Sequence, residues 1–491
     1  MAAGTRFLEE RRVRSSTYLY FFAAFMAVVC LTHARFVDLP YYWDEMGQFV
    51  PAALDILERG AWVPERTVPN VHPPGLMAYL AAVWSVFGHS IPVTRLAMLL
   101  LASAAVLVIF LLAIELTKGV RGAPAFAAVV LILASPLFYT QAMLAQLDMP
   151  AMLLACWALL LFLQSKWRAA AVVSVALTLV KETGVVVPAV LGLWLWFEGR
   201  KKEALWFALP LAALGGWLVF LWAATGNLFG NREFTDYNLF FPLHPVRLGA
   251  AVARRVFYLG FEHLHWLGWL FVFIAWRKGT FRTRAWRIAA VLGVAQVAVV
   301  TLFGGAVLER YLLPVLPLMY IAFAVAMPRV PQVLLAAALA VSLFWSPPYP
   351  TPLENNLAMV DFIRLQQTAT KYVEKQYPNE AITTAWPMTA ELWLPELGYV
   401  KRRMTIQRLP EFKPADIARL KPDSVSVFVL YSRDWDRPLD FRKMRLMRGI
   451  MRRMYRWEPQ VTGEDVERRF GVSRVAFWER GGQWAAVYAK P

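Results

Sequence analysis

Charged residues are scarce: Asp, Glu, Lys and Arg make up 17% of the 491 residues, and 58% are hydrophobic. Soluble domains carry about 25% charge, so an ordinary soluble enzyme is excluded. Cysteine is nearly absent. Cys30 and Cys156 both fall in apolar runs, which excludes a disulfide framework for the water-facing parts. No P-loop, dinucleotide fingerprint or HExxH motif is present, and no repeat of roughly 20 to 50 residues is visible. The net charge of +17 would suggest a nucleic-acid partner if it formed a patch. Much of it instead sits in short loops between apolar runs, as membrane orientation requires, so none is expected.

Long apolar runs are what the chain has in abundance. Runs near 20 residues span roughly 30 Å of hydrocarbon as helix. Such windows fall at 17–33, 93–117, 123–140, 149–164, 169–180, 184–198, 203–224, 256–276, 287–305, 311–327 and 331–346, predicting a polytopic α-helical membrane protein with about eleven transmembrane helices. With the N-terminus cytoplasmic, the inner segments carry Arg6, Arg11, Arg12 and Arg14, then Lys118 and Arg121, Lys166 and Arg168, Arg200 to Lys202, Arg277 to Arg287, and Arg329. That alternation obeys the positive-inside rule. No A-x-A-like site follows the first run, so it reads as an uncleaved signal-anchor in a cell inner (plasma) membrane. The stretch 76–87 is apolar but short, and reads as an interfacial helix in the first outer loop.

Past 350 the composition changes, with 24 Lys/Arg and 17 Asp/Glu between 351 and 491 and no spanning run. The chain therefore divides into a transmembrane catalytic domain, 1–348, and a soluble extracytoplasmic domain, 351–491, of α/β or α+β type. Residues 357–377 have helical spacing, 381–386 and 424–432 read as strands, and 474–490 as a hairpin turned at Gly481-Gly482. The basic stretch 442–456 is either a solvated helix face or a docking surface for anionic membrane lipids.

Tyr41-Tyr42-Trp43-Asp44-Glu45 lies just beyond the first span. Two carboxylates among aromatics at a membrane surface feel a lowered dielectric, which makes a carboxylate a better base. Adjacent side chains point in different directions, so one is expected to meet a reacting atom while the other orients it or holds a cation. Asn70-Val71-His72-Pro73-Pro74-Gly75 follows in the same loop, where two prolines fix the backbone around His72. Asp148 stands in a tight outer turn, where capping is the competing explanation. Lys181 and Glu182 sit together between two spans, and a cation at that depth faces a polar cavity. Glu309-Arg310-Tyr311 opens the tenth window. On the topology above, all of these emerge at one face, which points to a reaction at the outer surface.

In order, YYWDEMGQF, HPPGLMAYLAAVWSVFG, TRLAMLL, VKETGVVVP and RYLLPVLP resemble the GT-C glycosyltransferases, above all the protein O-mannosyltransferases and the aminoarabinose lipid A transferases. The similarity covers residues 17–330. It implies a multi-pass enzyme that takes a sugar from a polyprenyl-phosphate donor and transfers it, with inversion, to a lipid, glycan or protein acceptor outside the cytoplasm. It also implies Asp44 as the catalytic base and Asp148 as a further site residue. The aminoarabinose branch has Lys-Pro-Pro where this chain has His72-Pro73-Pro74.

Chemistry fits those roles. A hydroxyl nucleophile needs a base, worth roughly 10² to 10⁴-fold. A phosphate leaving group needs no general acid, but it needs positive charge as its bridging oxygen becomes anionic. His72, Lys181, Arg310 and Arg95 are the candidate phosphate ligands, with Glu45 beside the base and Glu182 and Tyr311 as further site residues. No spacing demands a cofactor, although Glu45 and Asp148 could hold a divalent metal. A polyprenyl-lipid flippase or secondary transporter is the competing class. It would carry inverted repeats and polar groups near the bilayer midplane.

Overall fold

The computed structural model describes residues 15–118, 120, 124–345, 354–433, 444–455 and 457–490. Arg6, Arg11, Arg12, Arg14 and Arg121 of the charge alternation lie outside the described residues, as do parts of 442–456.

The described chain is mostly helical, with a small sheet near its C-terminal end. Its longer helices, in order, are α1 (Ser15–His33), α2 (Val50–Arg59), α3 (Gly75–Phe87), α4 (Ile91–Leu116), α5 (Pro124–Ala134), α6 (Pro136–Met143), α7 (Asp148–Leu163), α8 (Trp167–Val180) and α9 (Val186–Phe197). They continue as α10 (Ala208–Thr225), α11 (Pro245–Gly260), α12 (His265–Arg277), α13 (Arg284–Leu302), α14 (Leu316–Ala326), α15 (Arg329–Ser342) and α16 (Ala358–Gln376). Among the described residues five helices are long and apolar enough to cross a membrane, and six if the bent pair α5–α6 is one span. α4 is the central one, started by Ser90 capping the Val93 amide (3.3 Å) and packed against α1, α5 and α7.

Two windows read as single spans are broken. The 123–140 window bends by 68° between α5 and α6, because Pro136 excludes helical backbone at Ser135, whose ψ is 122°. The 256–276 window is split by His263 and Leu264, whose φ values are 56° and 65°. There α11 ends and α12 begins. α11 is amphipathic, with Arg247 and Arg255 buried and Val252, Val256 and Phe257 exposed.

The sheet orders its strands β2-β1-β3-β5-β4, with β1 (Ile382–Ala385), β2 (Ile406–Leu409), β3 (Val427–Tyr431), β4 (Ser473–Arg480) and β5 (Gln483–Ala489). β1 runs parallel to β2 and β3, and β5 runs antiparallel to β3 and β4. Gly481 and Gly482 both have positive φ (58° and 77°), the conformation that a two-residue hairpin demands. The edge strand β2, with the polar sequence IQRL, carries no apolar alternation and was not legible in the sequence. Buried residues of the sheet, α16 and the transmembrane helices form one continuous core. Tyr41 donates its amide to the Leu397 carbonyl (3.2 Å) and accepts at its carbonyl from the Tyr399 hydroxyl (2.9 Å).

Candidate active site

The site begins where the aromatic triplet turns. Trp43 adopts φ 48°, a left-handed conformation costing a bulky residue ~1–2 kcal/mol. Trp386 of the C-terminal part packs edge-on against its ring at 4.6 Å. Beyond this turn a single π-helical turn, Glu45–Phe49, leads into α2. The two adjacent carboxylates leave it in different directions.

Glu45 turns inward and is fully buried. It pairs with Arg95 through Nη1 and, at 3.1 Å, Nη2. It also accepts from the amides of Tyr42 (2.9 Å) and Ala145 (2.6 Å). Arg95 spends its remaining hydrogens on the carbonyls of Leu39, Pro40 and Met143 (2.8–3.3 Å). This pair staples the first loop to α4 and to the turn before α7. Neither residue lines the cavity described below, whereas the sequence reading placed Glu45 and Arg95 among the reacting groups.

Asp44 turns outward, its side chain one-fifth exposed. It meets Arg310, which is shared among three carboxylates: Nη2 pairs with Asp44, Nη1 with Glu354, and Nε lies 3.3 Å from Asp148 Oδ2. The other Asp148 oxygen pairs with Lys181, whose ammonium sits 4.5 Å over the Tyr311 ring. Asp148 occupies the first turn of α7, as capping would have it, yet its carboxylate is given to two cations.

The opposite wall holds His72. Its Nδ1 meets Glu182 Oε2 at 2.9 Å, and its amide donates to Asn70 Oδ1 (3.0 Å). Asn70 donates to Gln48 (3.0 Å), which donates to Asp44 Oδ1 (3.2 Å). A chain of hydrogen bonds therefore fixes Asp44 and His72 relative to one another. Gly75 makes this approach feasible: a Cβ there would lie 2.5 Å from the Leu179 carbonyl oxygen, so only glycine lets the start of α3 rest against the end of α8. That contact delivers the His-Pro-Pro loop to Lys181-Glu182.

Asp44, His72, Asp148, Lys181, Glu182, Arg310 and Tyr311 all line one cavity of roughly 770 Å³. Apolar side chains line it too, among them Leu214 and Leu218 of α10, Val299 and Val300 of α13, and Phe229 and Phe303.

Sequence reasoning missed Glu354, which lies in the segment between α15 and α16. Burial pushes its carboxyl up to about 7, against the opposing pull of Arg310, and nearby Asp44 and Glu45 add to the rise. Its side chain also accepts from Gln146, and its carbonyl accepts from Thr140 (2.6 Å). No motif signals it, since an acid beside two asparagines after a proline-rich stretch reads as a linker. Glu45 and Asp148, the two acids that could hold a divalent metal, meet different cations: Arg95 for Glu45, and Lys181 and Arg310 for Asp148. Among the described residues no group of three or more His, Cys, Asp and Glu side chains is arranged to hold a metal ion.

No protein-family model and no curated protein matches the sequence. Solved structures match in fold. The crystal structure of ArnT from Cupriavidus metallidurans bound to undecaprenyl phosphate aligns with a TM-score of 0.54 at 12% identity, over 96% of this chain and 98% of that one. The apo state of the same protein gives 0.54 at 14% identity with the same coverage. The oligosaccharyltransferase of Archaeoglobus fulgidus gives 0.46 at 13% identity, over 83% of this chain and 67% of that one. The resemblance read from the ordered motifs thus holds at the level of the fold, which is ArnT-like.

Proposed function

We propose that the chain is a membrane glycosyltransferase that moves a sugar from a polyprenyl-phosphate donor to an extracytoplasmic acceptor, with inversion and with Asp44 as base. One observation carries the reading: a single cavity is lined both by a cluster of acids and cations and by apolar side chains. A polyprenyl-phosphate sugar has the same two-part character, and ArnT, which has this fold, was solved with undecaprenyl phosphate.

In the reaction the acceptor hydroxyl oxygen attacks the anomeric carbon and passes its proton to Asp44. The bond from that carbon to the phosphate oxygen breaks from the opposite side, which inverts the centre. The phosphate leaves with the electron pair. Arg310, Lys181 and His72 meet the charge that develops on it, and Asp148 holds the two fixed cations in place. Tyr311 supports Lys181 through its ring, and Glu182 orients His72. Glu45 and Arg95 serve the loop that carries Asp44.

The reading brings a topology with it. The eleven apolar windows cross the membrane, α3 lies at the outer interface, and the part after 351 forms an extracytoplasmic domain over Trp43. The acceptor, a lipid, glycan or protein, meets Asp44 beside that domain. Purified full-length protein incubated with a radiolabelled polyprenyl-phosphate sugar and an envelope extract should release polyprenyl phosphate and label an acceptor. A donor that crosses vesicle membranes but stays intact would make the protein a transporter instead.

A further inference from the structure

Glu309 and Arg310 are gripped from two sides by the segment that enters the C-terminal part. Glu354 pairs with Arg310, Asn355 donates to Glu309 (2.7 Å), and Asn356 caps the first amide of α16 (3.0 Å). Arg254 of α11 holds Glu309 from the other side (2.5 and 2.9 Å). Arg310 is therefore fixed in place, and its guanidinium faces three acids, Asp44, Asp148 and Glu354.

We propose that Glu354 is a positioning residue of the donor site: it holds Arg310 between Asp44 and Asp148 and, when a phosphate arrives, takes up a proton and yields its share of the guanidinium to the phosphate. The proposal rests on reading the cavity as a polyprenyl-phosphate site. Among the described residues Lys181 and Arg310 are the only fixed cations lining the cavity, and the acids already engage both. An entering phosphate adds negative charge beside an acid cluster that exceeds its cations. One acid must then be neutralised. Glu354 is the one that geometry selects, because it is buried, stands behind Arg310 and does not line the cavity. Asp44 has to stay ionised to act as base, and Asp148 has Lys181 as a second cation.

The groups facing Glu354 are Arg310, Asp44, Gln146 and the Glu45 carboxylate with its Arg95 partner, and the phenol of Tyr42 is near. Its carboxyl titrates at about 7 before the phosphate binds and higher once a phosphate shares Arg310. A group whose pKa is higher in the complex strengthens binding below the free value. That gain is lost as the pH rises through the interval between the two values. Affinity for the phosphate should accordingly fall by up to roughly tenfold per pH unit above about 7, for one proton.

The test measures binding of undecaprenyl phosphate to the full-length protein in detergent between pH 6 and 9, for wild type and Glu354→Gln. The ratio of the two affinities cancels the titration of the phosphate itself and of every group the two proteins share. Glu354→Gln should bind at least as tightly at pH 6, and wild type should fall behind it by tenfold or more at pH 9. Calorimetry on wild type at pH 8, in two buffers of different ionisation enthalpy, should show uptake of most of a proton beyond any shown by Glu354→Gln. It also gives a readout if that variant folds poorly, since zero net uptake by wild type alone refutes the idea. Parallel pH profiles for the two proteins would overturn the role of Glu354 while leaving the glycosyltransferase reading intact. No binding by either protein would overturn the donor site itself, and this proposal with it.

Discussion

The adjacent acids Asp44 and Glu45 should fail in opposite ways when altered, and Glu45→Ala is the sharper case. Glu45 is fully buried, pairs with Arg95 and accepts two further backbone amides. Removing it leaves a guanidinium buried against carbonyls alone, and breaking a buried pair from one side costs about 3–5 kcal/mol. Two orphaned amides add about 1–3 kcal/mol each where water cannot reach them. A whole protein is stable by only about 5–15 kcal/mol, so the sum is a large part of the total. Glu45→Ala should give little monodisperse protein by fluorescence-detected size exclusion, and what folds should melt well below wild type. Pairing it with Arg95→Met should recover part of the yield, because the unpaired charge goes, but not all of it, because the Leu39, Pro40 and Met143 carbonyls lose their donor. A Glu45→Ala protein with wild-type melting and no transfer activity would refute this reasoning and return Glu45 to the chemistry.

Asp44→Asn keeps the shape and the bond from Gln48 but removes the base, so turnover should drop roughly 10² to 10⁴-fold with melting temperature and undecaprenyl phosphate binding retained; near-normal turnover would dismiss Asp44 as base. Gly75→Ala places a methyl 2.5 Å from the Leu179 carbonyl, so α3 must move off α8. Overpacking of this kind costs about 1–3 kcal/mol, and the donor KM should rise more than kcat falls, since His72 sits next to the displaced turn whereas Asp44 is also anchored on Arg310. A fluorescent protein that matures only in the cytoplasm, fused after Lys490, should stay dark in cells; a bright fusion would invert the proposed orientation.

Much of the fold was legible because its signals are local. The hairpin at Gly481-Gly482 needs two residues at positive φ, and a Gly-Gly pair between alternating strands announces that. The broken windows were less so, because a hydropathy window sums side chains and is blind to backbone. Pro136 was in view, yet apolar residues on both sides kept the window intact; His263 and Leu264 carry no glycine to mark their left-handed turn. For the site, charges at the ends of apolar runs were a sound guide, since burying a charge demands a partner and the partners converge. That rule could not say which partner. Glu45 and Arg95 obeyed it by choosing one another and leaving the cavity, and a single sequence contains no sign of that choice. Glu354 escaped because the groups its carboxyl meets, Arg310, Gln146 and Asp44, lie far from it along the chain.

The charge count explains why the C-terminal part bears on the site although it follows every transmembrane helix. Asp44, Asp148 and Glu354 face Arg310 and Lys181, and two of those acids come from the first loop and the start of α7 while the third arrives with the segment before α16. With Asp44 and Asp148 alone, the local charge balances, and Arg310 is free to lean toward either of them. Adding Glu354 ties the guanidinium from a third direction and leaves the cluster one negative charge in excess. That excess raises the cost of bringing in a phosphate unless a proton comes too. The same residue therefore fixes the geometry around Asp44 and sets the condition under which an anion is admitted beside it.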